Sequence, residues 1–202
     1  MEARKIIITG GATRIGAAIA KKLSGNGVEI LIHYNKSKLK AENLKKELSN
    51  EGTKVYLVKG DLSKENDVNK IVKFAKNVKG KNNNIINIID QRVFKLTPYF
   101  FSYTISKTGL YTLTKTSAMS LAPKIRVNGI APGPTIKNQR QSKKHFKKQY
   151  LATPLKRQVD VEQICNAVDF FIKNRSITGQ VLAIDSGQNL NWQTPDITRG
   201  KE

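Results

Sequence analysis

Apolar residues along the chain fall into two patterns, short continuous runs and longer stretches with helical spacing. The continuous runs predict β-strands at 5–9, 28–34, 54–59, 85–90, 125–131 and 181–185. The helically spaced stretches predict α-helices at 15–23, 38–50, 103–121 and 161–173, and a further helix that is N-capped by Ser63. Strands that alternate with helices are typical of a parallel sheet. The pattern therefore predicts an α/β fold, and the length of 202 residues predicts a single domain over residues 1–202.

Hydropathy and cysteine content narrow the class of protein. No stretch reaches the roughly 18 apolar residues that a membrane span needs, and the N-terminus lacks the pattern of a secretory signal. We therefore expect a soluble, cytoplasmic protein with no membrane partner. Cys165 is the only cysteine, so an internal disulfide is excluded, and it shares the apolar face of the predicted helix 161–173. An ordinary helix residue is the favoured interpretation of Cys165, and no metal site is predicted.

The net charge of +21 suggests an acidic partner such as nucleic acid. Lysines are nevertheless spread over almost every segment, and only residues 143–148 form a cluster. A solvated lysine-rich surface explains this distribution, so no specific nucleic-acid partner is predicted. The basic segment 137–150 is the one stretch that we predict to be a mobile loop or a lid over a substrate.

A glycine-rich turn joins the first predicted strand to the first predicted helix, with the sequence Thr9-Gly10-Gly11-Ala12-Thr13-Arg14-Ile15-Gly16. Glycines allow the backbone to approach a pyrophosphate, and the helix that follows presents free N–H groups and the positive end of its dipole. A glycine pattern alone is weak evidence, but this one lies at the strand-to-helix junction where dinucleotide sites form. An ordinary tight turn is the alternative.

In this turn the chain resembles the short-chain dehydrogenase/reductase family, in which the turn reads TGxxxGxG. Arg14 replaces the middle glycine, as in pteridine reductases and their dihydromonapterin- and dihydrofolate-reducing relatives. The resemblance implies a Rossmann-type, doubly wound parallel sheet with helices on both faces. It also implies that Arg14 binds both cofactor and substrate, since a guanidinium can engage a phosphate and a ring edge together. The implied cofactor contacts in this turn are Gly10, Thr13, Arg14, Ile15 and Gly16.

The residues that follow the second predicted strand indicate whether the cofactor is NAD(H) or NADP(H). An NAD enzyme commonly places a carboxylate here, whereas this chain has Tyr34, Asn35, Lys36 and Ser37. Donors and a positive charge suit a ribose 2′-phosphate, so we predict NADP(H); an ordinary surface lysine is the alternative for Lys36. Within the resemblance, Asp61 and Leu62 lie at the position that contacts the adenine ring.

Tyr103 and Lys107 lie at i and i+4 on one face of a predicted helix. An ammonium near a phenol favours the phenolate, so we expect Lys107 to lower the pKa of Tyr103 and make it a usable proton donor. The pair alone occurs by chance in many helices. The resemblance adds that Lys107 binds the nicotinamide ribose and that Tyr103 contacts the substrate.

Asp90 ends a predicted strand 13 positions before Tyr103, where most short-chain dehydrogenases have serine and pteridine reductases have aspartate. A carboxyl group can take part in protonating a ring nitrogen, as reduction of a pterin C=N bond requires. The alternative is an aspartate that caps the turn after the strand. Further along, the Pro-Gly turn at Pro132, Gly133 and Thr135 resembles the family segment that contacts the nicotinamide amide.

One part of the family pattern is missing from this chain. Nothing between Leu62 and Ile85 supplies the fourth strand and most of the fourth helix. Loss of a central strand would leave its neighbours about twice the ~4.8 Å ladder spacing apart, with buried backbone groups unpaired. We infer that the natural polypeptide has additional residues, joined here between about Lys70 and Lys79.

The resemblance implies an NADPH-dependent reductase that transfers a hydride to a small pterin or dihydrofolate-like substrate, with Asp90, Tyr103 and Lys107 as the catalytic residues. One alternative is a reductase of a carbonyl compound such as an oxoacyl chain, a sugar or another ketone. The other is a non-catalytic nucleotide- or nucleic-acid-binding protein on the same fold. Apolar positions on the helix 103–121 exceed what one sheet contact requires, and the family implies a homo-tetramer or dimer formed through this helix.

Overall fold

A computed structural model describes residues 4–76, 83–139 and 141–192. Strands and helices alternate, as the sequence predicts. The strands are β1 (Arg4–Ile8), β2 (Val28–Tyr34), β3 (Lys54–Lys59), β4 (Asn83–Ile88), β5 (Ile125–Pro132) and β6 (Val181–Ile184). The helices are α1 (Arg14–Leu23), α2 (Lys38–Asn50), α3 (Glu65–Lys76), α4 (Phe101–Leu121), α5 (Lys143–Leu151) and α6 (Val161–Lys173). The prediction of an α/β fold built on parallel sheets is therefore confirmed.

The first of two compact units comprises residues 1–81 and 164–169. Its sheet is parallel with the order β1-β2-β3, and Ile6 of β1 pairs with Ile30 of β2. The central strand β2 carries the core, because Ile30 and Ile32 are fully buried. Parallel strands end at the same edge of a sheet, so the glycine-rich turn after β1 and the residues after β2 lie at one edge.

The second unit comprises residues 82–163 and 170–202. Its sheet is parallel with the order β4-β5-β6, β5 is its central strand, and α4 packs against β5. Asp90 follows β4, Gly133 follows β5 and Asp185 follows β6, so these three residues lie at the carboxyl edge of this sheet. The prediction of one domain over 1–202 stays a prediction.

The start of α3 differs from the prediction. The helix begins at Glu65, and Lys64, not Ser63, is the residue directly before it, with a carbonyl that accepts the N–H groups of Asp67 and Val68. The hydroxyl of Ser63 instead donates to Oδ1 of Asp61 at 2.8 Å, because Asp61 closes a turn with the backbone of Ser63 and Lys64. The serine is therefore a donor inside that turn, where the sequence pattern predicted an acceptor for the helix.

The prediction of a loop over the basic segment 137–150 is wrong for its second half, which belongs to helix α5; the alternative, a lid over a substrate, stays a prediction. The hydroxyl of Ser142 accepts the N–H of His145 and caps the helix, and Phe146 is buried beneath it. A loop was predicted because lysines dominate the segment and leave Phe146 and Tyr150 as its main apolar residues. Those two rings pack edge to face.

Each sheet has three strands, and among residues 4–76, 83–139 and 141–192 β1 pairs only with β2 and β4 only with β5. The described part of the chain has no strand between β3 and β4, as the sequence predicts. The predicted join at 70–79 falls on the end of α3 and on residues 77–79, which lie outside the described residues. No described helix is long and apolar enough to cross a membrane, and the described side chains form no metal-binding cluster of three or more His, Cys, Asp or Glu.

Candidate active site

Glycines in the turn after β1 are required by its backbone geometry. Gly10 has a φ of +64°, a conformation that disfavours residues with a Cβ. A Cβ on Gly16 would lie 2.5 Å from the carbonyl oxygen of Gly10, and one on Gly11 would lie 2.9 Å from that of Ile8. Helix α1 therefore packs directly on the backbone of the turn, and the turn packs on the end of β1, whereas a Cβ at Gly10 would meet nothing within 4 Å. This close packing with an open face at Gly10 suits a phosphate against the turn.

The N-terminus of α1 lies at this turn and suits an anion. Thr13 takes the N-cap position in an extended conformation with no side-chain cap, and the first turn of the helix has no acidic residue. Arg14 opens the helix with a φ of +55°, a left-handed conformation that glycine adopts at much lower cost. The residues present thus fit a diphosphate group, with Gly10, Thr13, Arg14, Ile15 and Gly16 in the turn or in the first turn of α1.

His33 holds this turn in place, although sequence reasoning did not single it out. The imidazole is buried at the end of β2, where Nδ1 accepts the N–H of Gly10 at 3.1 Å and Nε2 lies 3.1 Å from the carbonyl oxygen of Gly60. These bonds assign the proton to Nε2. The backbone of His33 also accepts the N–H of Gly11. A polar residue that follows the apolar run Ile30-Leu31-Ile32 within the same strand was the signal available in the sequence.

The residues after β2 and β3 differ in how accessible they are. Tyr34 is buried, whereas Asn35 and Lys36 are exposed and Ser37 takes the N-cap position of α2. Within this stretch, an exposed cation beside a helix N-terminus is suitable for a phosphate. No carboxylate lies at positions 34–37.

Asp61 follows β3 and is engaged by its own turn. The carboxylate accepts the N–H and the hydroxyl of Ser63, which lower the pKa of Asp61, and its backbone N–H donates to Oδ2 of Asp67. Leu62 beside it is 50% exposed. A contact of Asp61 or Leu62 with an adenine ring stays a prediction.

Asp90 and Tyr103 form one hydrogen-bonded pair in the second unit. The hydroxyl of Tyr103 donates to Oδ2 of Asp90 at 2.8 Å, and Oδ1 accepts the N–H of Arg92 at 2.9 Å. Asp90 therefore caps a short 3-10 turn at Gln91–Val93, which is the capping role that the sequence analysis gave as the alternative. It contacts Tyr103 as well. Lys107 donates from Nζ to the carbonyl oxygen of Ile88 at 2.9 Å. All three predicted catalytic side chains thus lie around the end of β4.

The prediction that Lys107 lowers the pKa of Tyr103 is wrong. Burial and the charge and hydrogen bond of Asp90 raise the pKa of Tyr103 above its usual value of 10. Burial lowers the pKa of Lys107, although the charge of Asp90 opposes this shift. The ammonium points at the carbonyl of Ile88 and lies 5.8 Å from the centre of the tyrosine ring, so Asp90 dominates the phenol. The geometry stabilises a protonated tyrosine that shares its proton with a carboxylate.

Arg92 is a second residue that the sequence analysis missed. Its guanidinium lies 4.7 Å from the ring centre of Phe100 and donates to the hydroxyl of Thr97 at 3.0 Å. Phe100 precedes α4 with a φ of +62°, so Arg92 supports a strained start of the helix that carries Tyr103. Its positive charge also opposes the raised pKa of Tyr103.

The Pro-Gly turn after β5 is packed tightly against the end of β6. A Cβ on Gly133 would lie 2.6 Å from the Cα of Asp185, and the N–H of Gly133 donates to Ile184. Pro132 and Thr135 are buried, and the hydroxyl of Thr135 donates to the carbonyl of Gly133. The predicted nicotinamide contacts of this turn therefore depend on backbone groups, and they stay a prediction.

Two family models match the chain. The model described as short chain dehydrogenase matches residues 4–81, and the model described as enoyl-(acyl carrier protein) reductase matches residues 75–189. The two matches overlap at 75–81, next to the predicted join at 70–79.

Similar proteins agree with these matches. FolM alternative dihydrofolate reductase 1 from Brucella canis, complexed with NADP, is 36% identical with a TM-score of 0.90, and the match covers 96% of this chain and 97% of that chain. A dihydromonapterin reductase of Klebsiella pneumoniae is 28% identical over 106 residues, 52% of this chain and 44% of the relative. A 3-oxoacyl-(acyl-carrier-protein) reductase of Staphylococcus epidermidis is 24% identical over 239 positions, 91% of this chain and 98% of the relative. The chain belongs to the short-chain dehydrogenase/reductase family, in its pteridine-reductase-like branch.

Proposed function

We propose that the protein is an NADPH-dependent reductase of a pterin or dihydrofolate-like substrate. The observation that carries this proposal is the 2.8 Å hydrogen bond from Tyr103 to Asp90, because it puts a carboxyl group beside the phenol that donates the proton. Relatives named as a dihydromonapterin reductase and an alternative dihydrofolate reductase support the substrate class.

The cofactor assignment depends on the first unit. Gly10 leaves the backbone of the turn open to a diphosphate, and Gly11 and Gly16 allow the turn to pack closely between β1 and α1. Arg14 adds a guanidinium that can bind phosphate and the edge of a substrate ring. Asn35, Lys36 and Ser37 would hold the ribose 2′-phosphate. NADPH, when bound, supplies the hydride.

Asp90 and Tyr103 supply the proton. Reduction of a C=N bond adds a hydride to carbon and needs one proton on the ring nitrogen. The phenol of Tyr103 holds a proton, since burial and Asp90 raise its pKa. When the ring nitrogen takes that proton, the hydroxyl would exchange its hydrogen bond with Asp90 for one with the substrate and become a phenolate, whose charge Arg92 would offset. Lys107 is held at the end of β4 by Ile88, where its ammonium would hydrogen-bond the nicotinamide ribose.

Steady-state turnover with NADPH and NADH tests the proposal. We expect NADPH oxidation with 7,8-dihydrobiopterin or 7,8-dihydrofolate, and a loss of about a hundredfold or more in kcat for Tyr103→Phe. The 24% identity to an oxoacyl reductase over nearly its whole length favours a carbonyl substrate as the second candidate. Turnover of a 3-oxoacyl thioester without any turnover of pterins would therefore overturn the pterin assignment. A Tyr103→Phe variant as active as the native enzyme would overturn the catalytic assignment as well.

We also propose a homo-oligomer formed through α4. Ile105, Leu113 and Met119 on this helix are 72%, 55% and 74% exposed, whereas Ala118 is buried. Apolar exposure of this extent on one helix is typical of an interface. Sedimentation at the mass of a single subunit would contradict this oligomer.

A cytoplasmic location of the protein stays a prediction.

A further inference from the structure

Acidic residues are absent from a long part of the second unit. Residues 91–159 contain 14 Lys and Arg but neither Asp nor Glu, although the chain has 15 acidic residues elsewhere. This segment begins immediately after Asp90 and includes Tyr103 and the connection from β5 to α6 up to Val159, the residue before the N-cap Asp160. Because acidic residues are missing, +14 of the chain's net charge of +21 lies on this segment, whose elements begin or end at the same sheet edge as the catalytic pair.

Helix α5 presents this charge most densely. Lys143, Lys144, Lys147 and Lys148 are all exposed, and among the described residues none of them forms an ion pair. The two pairs spaced four residues apart place like charges next to each other, which disfavours the helix unless an anion binds there. Ser142, Lys144, His145 and Lys148 line a shallow depression of about 370 Å³.

Hydrogen bonds connect the end of α5 to the loop that follows Asp90. Lys95 donates from Nζ to the carbonyl oxygen of Asn191 at 2.6 Å, and the amide of Asn191 donates to the carbonyl oxygen of Ala152 at 3.1 Å. Ala152 is the C-cap of α5, and Lys95 lies five residues after Asp90. The basic helix is therefore held beside the catalytic loop within one unit.

We propose that α5 binds the oligocarboxylate tail of the substrate, a chain of γ-linked glutamates attached to a pteridine. This inference depends on the proposed function. A regular series of carboxylates complements lysines spaced along one helix face, whereas a pterin without a tail has no group for them. The expected result is selectivity for long glutamyl tails, with a strong dependence on ionic strength.

The test compares three substrates with NADPH: 7,8-dihydrobiopterin, 7,8-dihydrofolate with one glutamate, and 7,8-dihydrofolate with five. We expect kcat/KM at low salt to be about tenfold higher for the pentaglutamate than for the monoglutamate, mainly through KM. The double variant Lys144→Gln/Lys148→Gln should lose this advantage and leave turnover of dihydrobiopterin unchanged. Lys45→Gln/Lys46→Gln on α2 also removes two exposed lysines from one helix and should change nothing.

Equal kcat/KM for one and five glutamates, or equal losses in both double variants, would overturn the inference. Failure to reduce any pterin would overturn the proposed function instead. Calorimetric titration with 4-aminobenzoyl-pentaglutamate separates the two, because binding that is weakened only by the α5 variant supports this site without catalysis. Equally tight binding of a single-stranded RNA oligonucleotide would indicate a general polyanion surface and overturn the assignment.

Discussion

Arg14 shows how a single residue can depart from a backbone rule. It occupies a glycine position of the family turn and has a φ of +55°, where a side chain costs about 1 kcal/mol. Sequence comparison identified the substitution, but only the structure shows the strained backbone. Strain that persists beside a phosphate-binding turn is typical of a residue whose side chain has a function.

Two substitutions separate the backbone of Arg14 from its guanidinium. Arg14→Gly and Arg14→Ala both remove the side chain, but only glycine relieves the left-handed conformation. We expect the free energy of unfolding of Arg14→Gly to be about 1 kcal/mol higher than that of Arg14→Ala, so the glycine variant is the more stable one. Both variants should raise the KM for NADPH and for the pterin. Urea unfolding measures the first effect, and equal stability of the two variants would contradict the strain.

The residues that carry the chemistry were predictable only in part. Tyr103, Lys107 and Asp90 stand at recognisable spacings, and the structure brings them to the end of one strand. His33 and Arg92 were missed because each acts through contacts with residues distant in sequence or in a loop. The direction of the tyrosine pKa was wrong because helical spacing does not reveal that Lys107 points at a carbonyl.

At the scale of elements, helix α3 depends on a carboxylate at its start. Oδ2 of Asp67 accepts the N–H of Asp61, and Oδ1 accepts Nζ of Lys70. The hydrogen bonds with Lys70 and Asp61 lower the pKa of Asp67 below its usual value of 3.8. A carboxylate with a lowered pKa stabilises the fold above its unfolded pKa, and this contribution is lost as pH falls through the folded pKa.

Asp67→Asn tests this contribution. We expect the variant to have a lower urea midpoint than the native protein at pH 7, and the difference to shrink as pH falls below about 4. Glu65→Gln, at the first residue of the same helix, removes an acidic group for which no such bonds are described and serves as the control. A difference between Asp67→Asn and the native protein that is the same at pH 7 and pH 3 would contradict the assignment.

The elements that sequence predicted best are those with strong apolar periodicity. Strands 28–34 and 54–59 and helices 38–50 and 161–173 have the predicted bounds. Helix α5 and the start of α3 were not predicted correctly, because a buried Phe146 and a turn closed by Asp61 decide them. Periodicity reports burial along a long element, and it does not reveal local side-chain bonds.

At the scale of the whole molecule, the pairing within the two three-stranded sheets agrees with the absence of one strand of the family fold. β1 and β4 each pair on one side only among the described residues. The alignment to the Staphylococcus epidermidis reductase has 239 positions, whereas this chain has 202 residues, so the relative contains segments that this chain does not supply. Two separate family matches that meet at 75–81 agree with a join there.

The intact mass of the protein isolated from its natural source tests this inference. We expect a mass above 22.6 kDa, with peptides between residues 70 and 79 interrupted by additional sequence. A mass of 22.6 kDa with one uninterrupted peptide across that segment would contradict it.

The central claim is that Asp90 adapts a short-chain reductase to a pterin. The most direct measurement is kcat/KM with NADPH for 7,8-dihydrobiopterin and for a 3-oxoacyl thioester, in the native enzyme and in Asp90→Ser. Serine keeps a hydrogen-bond partner for Tyr103 but removes the carboxylate that assists proton delivery to a ring nitrogen. We predict that pterin turnover falls about a hundredfold while ketone turnover stays the same or rises. Unchanged pterin turnover in Asp90→Ser would contradict the account.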